Sequence, residues 1–288
     1  MNFLAWTRLA STAVVLTVAA SVVAAQSTMV RLDTSLGLVD IRLYDAQAPA
    51  TVANFLGYAQ DGTYDNSFIH RSVPGFVVQG GGYRLHEGGG YSKVPAGPPV
   101  ANEFSRNRSN TRGTVAMAKL AGNPNSATTE WFVNLADNSA NLDFQNGGFT
   151  VFGRVTAPGM AVFDAMARLQ RVNAGAPFSD LPVVGLPSSG PLLGEHLVMV
   201  KTAKVLHAAT PADRIFNYLE AAYPHYLSPA DGESTTGHGY YYRYYPGTQS
   251  YVGEANGVIY YLVPAINDNI NSLGSVAEWL GLAGEAGY

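Results

Sequence analysis

From Met29 to Tyr44, apolar and polar side chains alternate about Leu36 and Gly37, with Val30 and Leu32 on one arm and Leu38, Ile41 and Leu43 on the other. A period near two, reversing at a glycine, predicts a β-hairpin with one buried face. The period then lengthens. Between Ala48 and Gln60, the residues Val52, Phe55, Leu56 and Ala59 recur at helical spacing behind Pro49. A proline suits the first turn of a helix, where its missing N–H has no partner to lose. Val162, Phe163, Met166 and Leu169 mark a second helix from Met160 to Leu169. Short β-type runs occupy Gly75 to Val78, Thr114 to Met117, Trp131 to Leu135, Phe149 to Val155 and His196 to Leu206, separated by Gly, Asn and Pro. The stretch from Gly80 to Pro99 carries two glycine triplets but no following Lys-Ser or Lys-Thr, so it reads as a surface loop and not as a phosphate cradle. Many short strands with two helices favour a closed β-barrel over a parallel sheet.

The pattern changes after His207. Ala-Ala-Thr-Pro reads as a linker over 208–212, and the remaining residues, 213–288, hold eight acidic side chains against only Arg214 and Arg243. A helix from Asp213 to Tyr223, a tyrosine-rich hairpin pairing Tyr240–Tyr245 with Val258–Val263 through an Asn256-Gly257 turn, and a helix from Ser272 to Leu282 make a small α+β domain. Two readings of its tyrosines stand side by side. Exposed, they are broad amphipathic contacts for a protein or an envelope component; alternating, they pack their own sheet.

Composition narrows the field. Hydrophobic residues make up 47% of the 288 and charged ones 13%, as in packed globules, and a net charge of −4 leaves no basic surplus for nucleic acid. The absence of cysteine removes disulfides and thiolate chemistry together. Arg8 followed by an apolar run from Leu9 to Val23, then Ala24 and Ala25 before Gln26, reads as a signal peptide over 1–25. The run falls short of the roughly 20 apolar residues that span a bilayer. The expected location is therefore periplasmic or secreted, off the membrane once the segment is removed, with 26–207 as the first folded domain.

The densest motif is Ile69-His70-Arg71-Ser72-Val73-Pro74-Gly75-Phe76-Val77-Val78-Gln79-Gly80-Gly81. Three further blocks follow in order, 110–118, Asn125 to Asn134 with Glu130-Trp131-Phe132, and Gly148 to Val155. Together the four blocks resemble the cyclophilin family of peptidyl-prolyl cis-trans isomerases, its bacterial periplasmic branch especially, over about 29–206. The resemblance implies a closed antiparallel barrel of eight strands with two capping helices, and it leaves the tail unrecognised.

It also implies an activity that can be weighed against the residues. Rotation about an X-Pro amide faces a barrier of about 18–20 kcal/mol, because the C–N bond is partly double. No bond is broken, so neither nucleophile nor metal nor cofactor is called for. What is needed is an apolar pocket for the proline ring beside one strong donor for the twisted amide. Arg71, permanently charged and planar, suits the donor role and is the expected catalytic residue. By the family pattern Phe76, Val77, Met117, Phe132, Leu142 and Phe149 wall the pocket, Gln79 bonds the substrate backbone, and Ala118 borders the groove. The substrate class is proline-containing polypeptides. His70 is expected to be structural, since isomerisation has no proton to remove.

Three departures from the family pattern stand out. Glu130, counted with the expected substrate-binding residues, replaces the usual glutamine and, when ionised, is acceptor-only, so it can pair with Arg71 and either orient it or draw it away. Asn141 stands where many relatives carry a large aromatic, and Phe149 replaces a histidine or tyrosine. A second function is therefore weighed beside the isomerase: a non-catalytic proline-peptide-binding or envelope scaffold protein. Retention of the charged donor favours the enzyme.

Overall fold

The computed structural model describes residues 27–230, 232–264 and 269–288. The expected signal segment 1–25 lies outside them. The first region runs β1 (Met29–Thr34), β2 (Gly37–Leu43), α1 (Pro49–Gln60), β3 (Ser67–Phe68), β4 (Arg71–Val73), β5 (Val77–Gly80), β6 (Tyr83–Leu85), β7 (Tyr91–Lys93), β8 (Thr114–Met117), β9 (Trp131–Asn134), α2 (Ser139–Leu142), β10 (Val151–Val155), α3 (Ala157–Arg168), β11 (Gln170–Val172), β12 (Leu181–Val183) and β13 (Met199–Leu206). The second runs α4 (Pro211–Ala222), β14 (Thr235–Gly237), β15 (Tyr240–Tyr245), β16 (Ser250–Ala255), β17 (Val258–Leu262), β18 (Asn271–Ser275) and α5 (Val276–Ala286).

The first region is mainly β. Its principal sheet has the order β4-β5-β9-β8-β10-β2-β1-β13-β3-β6-β7, all pairs antiparallel. β3 and β4 are separated by only Ile69 and His70, yet β4 begins that order and β3 stands beyond β13. The sheet therefore curls strongly: the Ile69 N–H donates to Val198 O at 2.9 Å and the His70 N–H to Gln79 O at 3.2 Å. Side chains alternate across each strand, and the inward set forms one core. Val30, Leu32, Val39 and Ile41 from the hairpin meet Phe55 of α1, Phe163 of α3, Trp131 and Phe152. Phe55 and Phe152 lie 5.0 Å apart by ring centroid, and burying each such ring contributes about 1.5–3 kcal/mol.

The stretch expected to be a plain loop over 80–99 is partly sheet. β6 and β7 pair across a turn in which Gly88, Gly89 and Gly90 all take positive φ, a conformation only glycine adopts freely. The first triplet serves packing: a Cβ on Gly80 would come within 2.9 Å of the Trp131 ring.

The second region is a five-stranded antiparallel sheet, β14-β15-β16-β17-β18, with α4 and α5. The expected hairpin is corrected. β15 pairs with β16, and the Asn256-Gly257 turn joins β16 to β17. Ser250–Ala255 reads weakly as a strand because Gly253 and Glu254 interrupt it. Gly253 nevertheless fits its place, opposite Tyr242, where a Cβ on the glycine would come within 3.3 Å of the tyrosine Cβ. The expected helix from Ser272 instead begins at Val276, since residues 271–275 add β18 and Ser275 caps α5 reciprocally with Glu278. The tyrosines divide between the two readings: Tyr241 and Tyr245 join the core with Phe216, Val252 and Ile259, whereas Tyr240, Tyr242, Tyr244, Tyr251 and Tyr260 contact one another in pairs.

The two regions meet at a buried polar junction. Arg31 on β1 holds Asp40 on β2 through Nε and Nη2, both at 2.7 Å, and reaches Glu220 on α4 through Nη1. From the other side Arg243 donates to Glu220 at 3.0 Å and Asp213 at 3.1 Å, while the Tyr288 hydroxyl donates to Asp40 at 2.5 Å. Burial raises the Tyr288 phenol well above its usual range, and the neighbouring Asp40 charge adds to the effect.

Candidate active site

The site follows from strand register. Arg71 on β4 stands opposite Gln79 on β5, Gln79 opposite Phe132 on β9, Phe132 opposite Ala116 on β8, and Ala116 opposite Val151 on β10. Directly opposed residues share a face, so these five side chains form one row on the outer side of the curled sheet. Val77, two residues before Gln79, lies on the same face. Leu142 of α2 and Phe149 pack onto the row, and the Phe149 N–H donates to Leu142 O at 3.0 Å. Phe76, Val77, Ala118, Phe132, Leu142 and Phe149 thus come together in one apolar cluster separate from the core, with Phe132 and Phe149 edge to face at 5.7 Å.

Met117 does not join them. It pairs with Trp131 on the opposite face of the sheet and is buried in the core with Val115. The alternation of β8 makes Ala116, not Met117, the neighbour of Phe132. Ala116, Val151 and Tyr44 belong to the cluster and were not expected there. Small or ordinary apolar residues in strands carry no signal of their face until the register is known.

Arg71 sits at the open end of the row. Its side chain is 35% exposed, its Cζ stands 5.9 Å from the centre of the Phe76 ring, and the nearest carboxylate is Asp180, at 3.9 Å from Nε. Most of its guanidinium donors are free to meet a ligand carbonyl.

Glu130 does not pair with Arg71. Its carboxylate accepts from Gln79 Nε2 at 2.7 Å and lies 3.5 Å from His70 Nε2. Gly82 makes room for it, since a Cβ there would come within 2.9 Å of the carboxyl. Burial works to raise the Glu130 pKa, but the hydrogen bonds and charge offered by His70, with Gln79 and Lys93, outweigh it and hold the carboxyl below the usual range. An acceptor-only neighbour fixes the Gln79 amide with its nitrogen toward Glu130, which leaves Oε1 as the atom able to accept from a substrate N–H. His70 itself is buried, edge-on to Tyr83 at 5.1 Å.

Lys119, also not anticipated, borders the far side. Its Nζ donates to Asn146 O at 2.9 Å and Gly148 O at 2.6 Å and stands 4.7 Å from the Phe149 ring centre. Burial lowers its pKa. It clamps the loop that presents Phe149.

Residues 29–186 match the family model described as "Cyclophilin type peptidyl-prolyl cis-trans isomerase/CLD". Among curated proteins, the chain is 40% identical over 161 residues to peptidyl-prolyl cis-trans isomerase A of Dickeya dadantii, covering 55% of this chain and 80% of that one. It is 38% identical over 150 residues to a peptidyl-prolyl cis-trans isomerase of Acinetobacter baylyi, covering 52% and 77%. It is 39% identical over 151 residues to isomerase B of Escherichia coli, covering 51% and 88%. A Cryptosporidium parvum cyclophilin type isomerase, crystallised in the presence of the dipeptide Ala-Pro, is 20% identical with a TM-score of 0.46, covering 62% of this chain and 99% of that one.

Proposed function

The chain belongs to the cyclophilin-type peptidyl-prolyl cis-trans isomerase family, and from that premise we propose that its row of side chains from Arg71 to Ala116 isomerises X-Pro bonds in polypeptides. The observation that carries this reading is the register that sets a free guanidinium, an amide acceptor and an aromatic floor side by side on one face. The proline ring enters among Phe76, Val77, Phe132, Leu142 and Phe149. Gln79 Oε1 and the backbone beside Ala118 hold the peptide on either side. Arg71 donates toward the prolyl amide as it twists, when its nitrogen regains a lone pair and resonance is lost. Because the donor meets the twisted amide more strongly than the planar one, it lowers the barrier and not merely the energy of the complex. Glu130 acts one residue removed, by fixing the Gln79 amide. That Glu130 pairs with Gln79 and His70 and not with Arg71 favours turnover over the scaffold reading.

The test is cis-to-trans conversion in a short Ala-Pro peptide, followed by a protease that cuts only the trans form. Catalytic amounts of protein are expected to accelerate it beyond the spontaneous conversion, which takes about tens to hundreds of seconds. Binding of the peptide without acceleration would return the scaffold reading.

Three coarser matters belong to the same proposal. Counting 67–73 as one bent strand shared by both edges of the curl makes the first region a closed eight-stranded barrel, supported by the Ile69 and His70 hydrogen bonds to opposite neighbours. Residues 26–207 and 213–288 act as two units joined by 208–212, the second contacting an envelope component or another protein through its outward tyrosines. Residues 1–25 direct export, so the substrates are exported proteins in the periplasm or outside the cell; this rests on the charge and hydropathy of that segment and is tested by cell fractionation.

A further inference from the structure

Resting on the isomerase reading, we propose that a basic cavity next to the proline pocket is a subsite for a carboxylate side chain of the polypeptide substrate. The cavity has a volume of about 450 Å³ and is lined by Tyr44, Gln47, residues 107–109, Thr111, Thr114, Val151 and Arg154. Val151 and Tyr44 also belong to the apolar cluster of the candidate active site, so the two hollows share a wall.

The lining is polar and carries charge of one sign. Arg108 and Arg154 enter it, accompanied by hydroxyls and amides, and no carboxylate does. Among the described residues neither arginine has an acidic partner within ion-pair distance. Arg108 is held in place by donating Nε to Val151 O at 3.2 Å and Nη2 to Glu103 O at 2.5 Å, which leaves Nη1 uncommitted. Arg154 donates only Nη1, to Arg112 O at 3.0 Å.

The backbone is arranged to aim Arg154 here. β10 shifts register against β8 between Val151 and Gly153. A bulge of this kind brings two residues an odd number apart onto one face, and it places Arg154 on the same outer face as Val151. Directly across the ladder from Arg154 stands Arg42, which also lacks an acidic partner among the described residues. Like charges opposed across two strands are unfavourable unless an anion lies between or beside them. A protein of net charge −4 that nonetheless concentrates unpaired arginines around one cavity is set up to receive that anion.

Geometry identifies the anion as part of the substrate. Ala116 and Val151 lie one and two strands from Phe132; at about 4.8 Å per strand, the shared wall at Val151 is about 10 Å from Phe132, a span that an extended chain crosses in about three residues. A glutamate or aspartate at that separation reaches Arg108 and Arg154 while the proline occupies its own site.

The test uses the full-length protein and peptides sharing an Ala-Ala-Pro-Phe segment, with Glu, Gln or Lys placed about three residues from the proline, on either side. On one side, at low salt, the Glu peptide is expected to exceed the Gln peptide in kcat/KM by about fivefold, as charge-assisted hydrogen bonds allow, with Lys lowest. The advantage shrinks as salt screens it. In Arg154→Gln and in Gln47→Glu, the latter a change at an exposed position, the Glu-to-Gln ratio falls to about one or below. Equal turnover of Glu and Gln peptides by the unaltered protein, or a ratio that survives both substitutions, overturns the subsite. If no peptide is turned over, the isomerase reading fails and the peptides are titrated calorimetrically. Tighter binding of the Glu peptide, abolished by Gln47→Glu, then sustains the subsite, and equal affinities overturn it.

Discussion

On the outer face of the curled sheet, Arg71 keeps 35% of its side chain in solvent and has one carboxylate nearby, at 3.9 Å. At the junction between the two regions, Arg31 and Arg243 are almost wholly buried and each meets two carboxylates. The same side chain is thus used in opposite ways. A guanidinium whose donors are all engaged fixes one arrangement of the chain, because removing any partner strands a charge away from water. A guanidinium with free donors at the lip of an apolar pocket contributes little to stability and is available to a substrate. The degree of engagement, more than the presence of arginine, separates the structural site from the candidate catalytic one.

Substitutions can break this contrast at either end. The largest effect is expected from Glu220→Ala, which leaves Arg31, Arg243 and the Tyr245 hydroxyl without their shared acceptor. Stability in urea should fall by about 3–5 kcal/mol, the cost of stranding a buried charge; a loss below about 1 kcal/mol would make the junction no different from a surface pair. Next comes Tyr288→Phe, which removes one donor from Asp40 while Arg31 still holds it. Thermal unfolding should register a loss of about 1–2 kcal/mol.

Acid sharpens the comparison further. Burial tends to raise the Asp213 pKa, but hydrogen bonds from Ser234, Thr210 and Tyr241 outweigh it and hold the carboxyl below its usual range. A lowered folded-state pKa gives stability that is fully present above the unfolded value of about 3.9 and is lost as pH falls through the folded one. The unfolding midpoint should therefore drop as pH is lowered beyond about 4, and less steeply in Asp213→Asn. The smallest effect is expected at Glu130. Glu130→Gln keeps an acceptor for Gln79 but removes its charge, and kcat/KM should change by no more than about fivefold, the difference between a charged and a neutral hydrogen bond.

Much of the candidate site was legible in sequence because its residues cluster in a few short blocks. Arg71, Phe76, Val77 and Gln79 lie within nine positions, and the hairpin that orders them is local. Met117 was misplaced for a physical reason: neighbours in a strand face opposite ways, and only the pairing of Phe132 with Ala116 decides which faces the pocket. The β15–β16 pairing was hidden by Gly253, whose role depends on tyrosines of the neighbouring strand. The junction was unreadable altogether. Arg31 and Glu220 are 189 positions apart, and an ion pair between distant elements leaves no period or motif in the chain. Glu130 was recognised as a departure, but its choice of Gln79 and His70 over Arg71 depends on the space above Gly82.

The most direct measurement is Arg71→Ala in the full-length protein, followed for both isomerase activity and urea unfolding. A solvent-facing donor that acts on the twisted amide predicts a fall in kcat/KM of about 10²–10³, with stability unchanged to within about 0.5 kcal/mol. Activity retained to within a few-fold, or a loss of activity that tracks a loss of stability, would contradict the assignment of Arg71 as the catalytic donor.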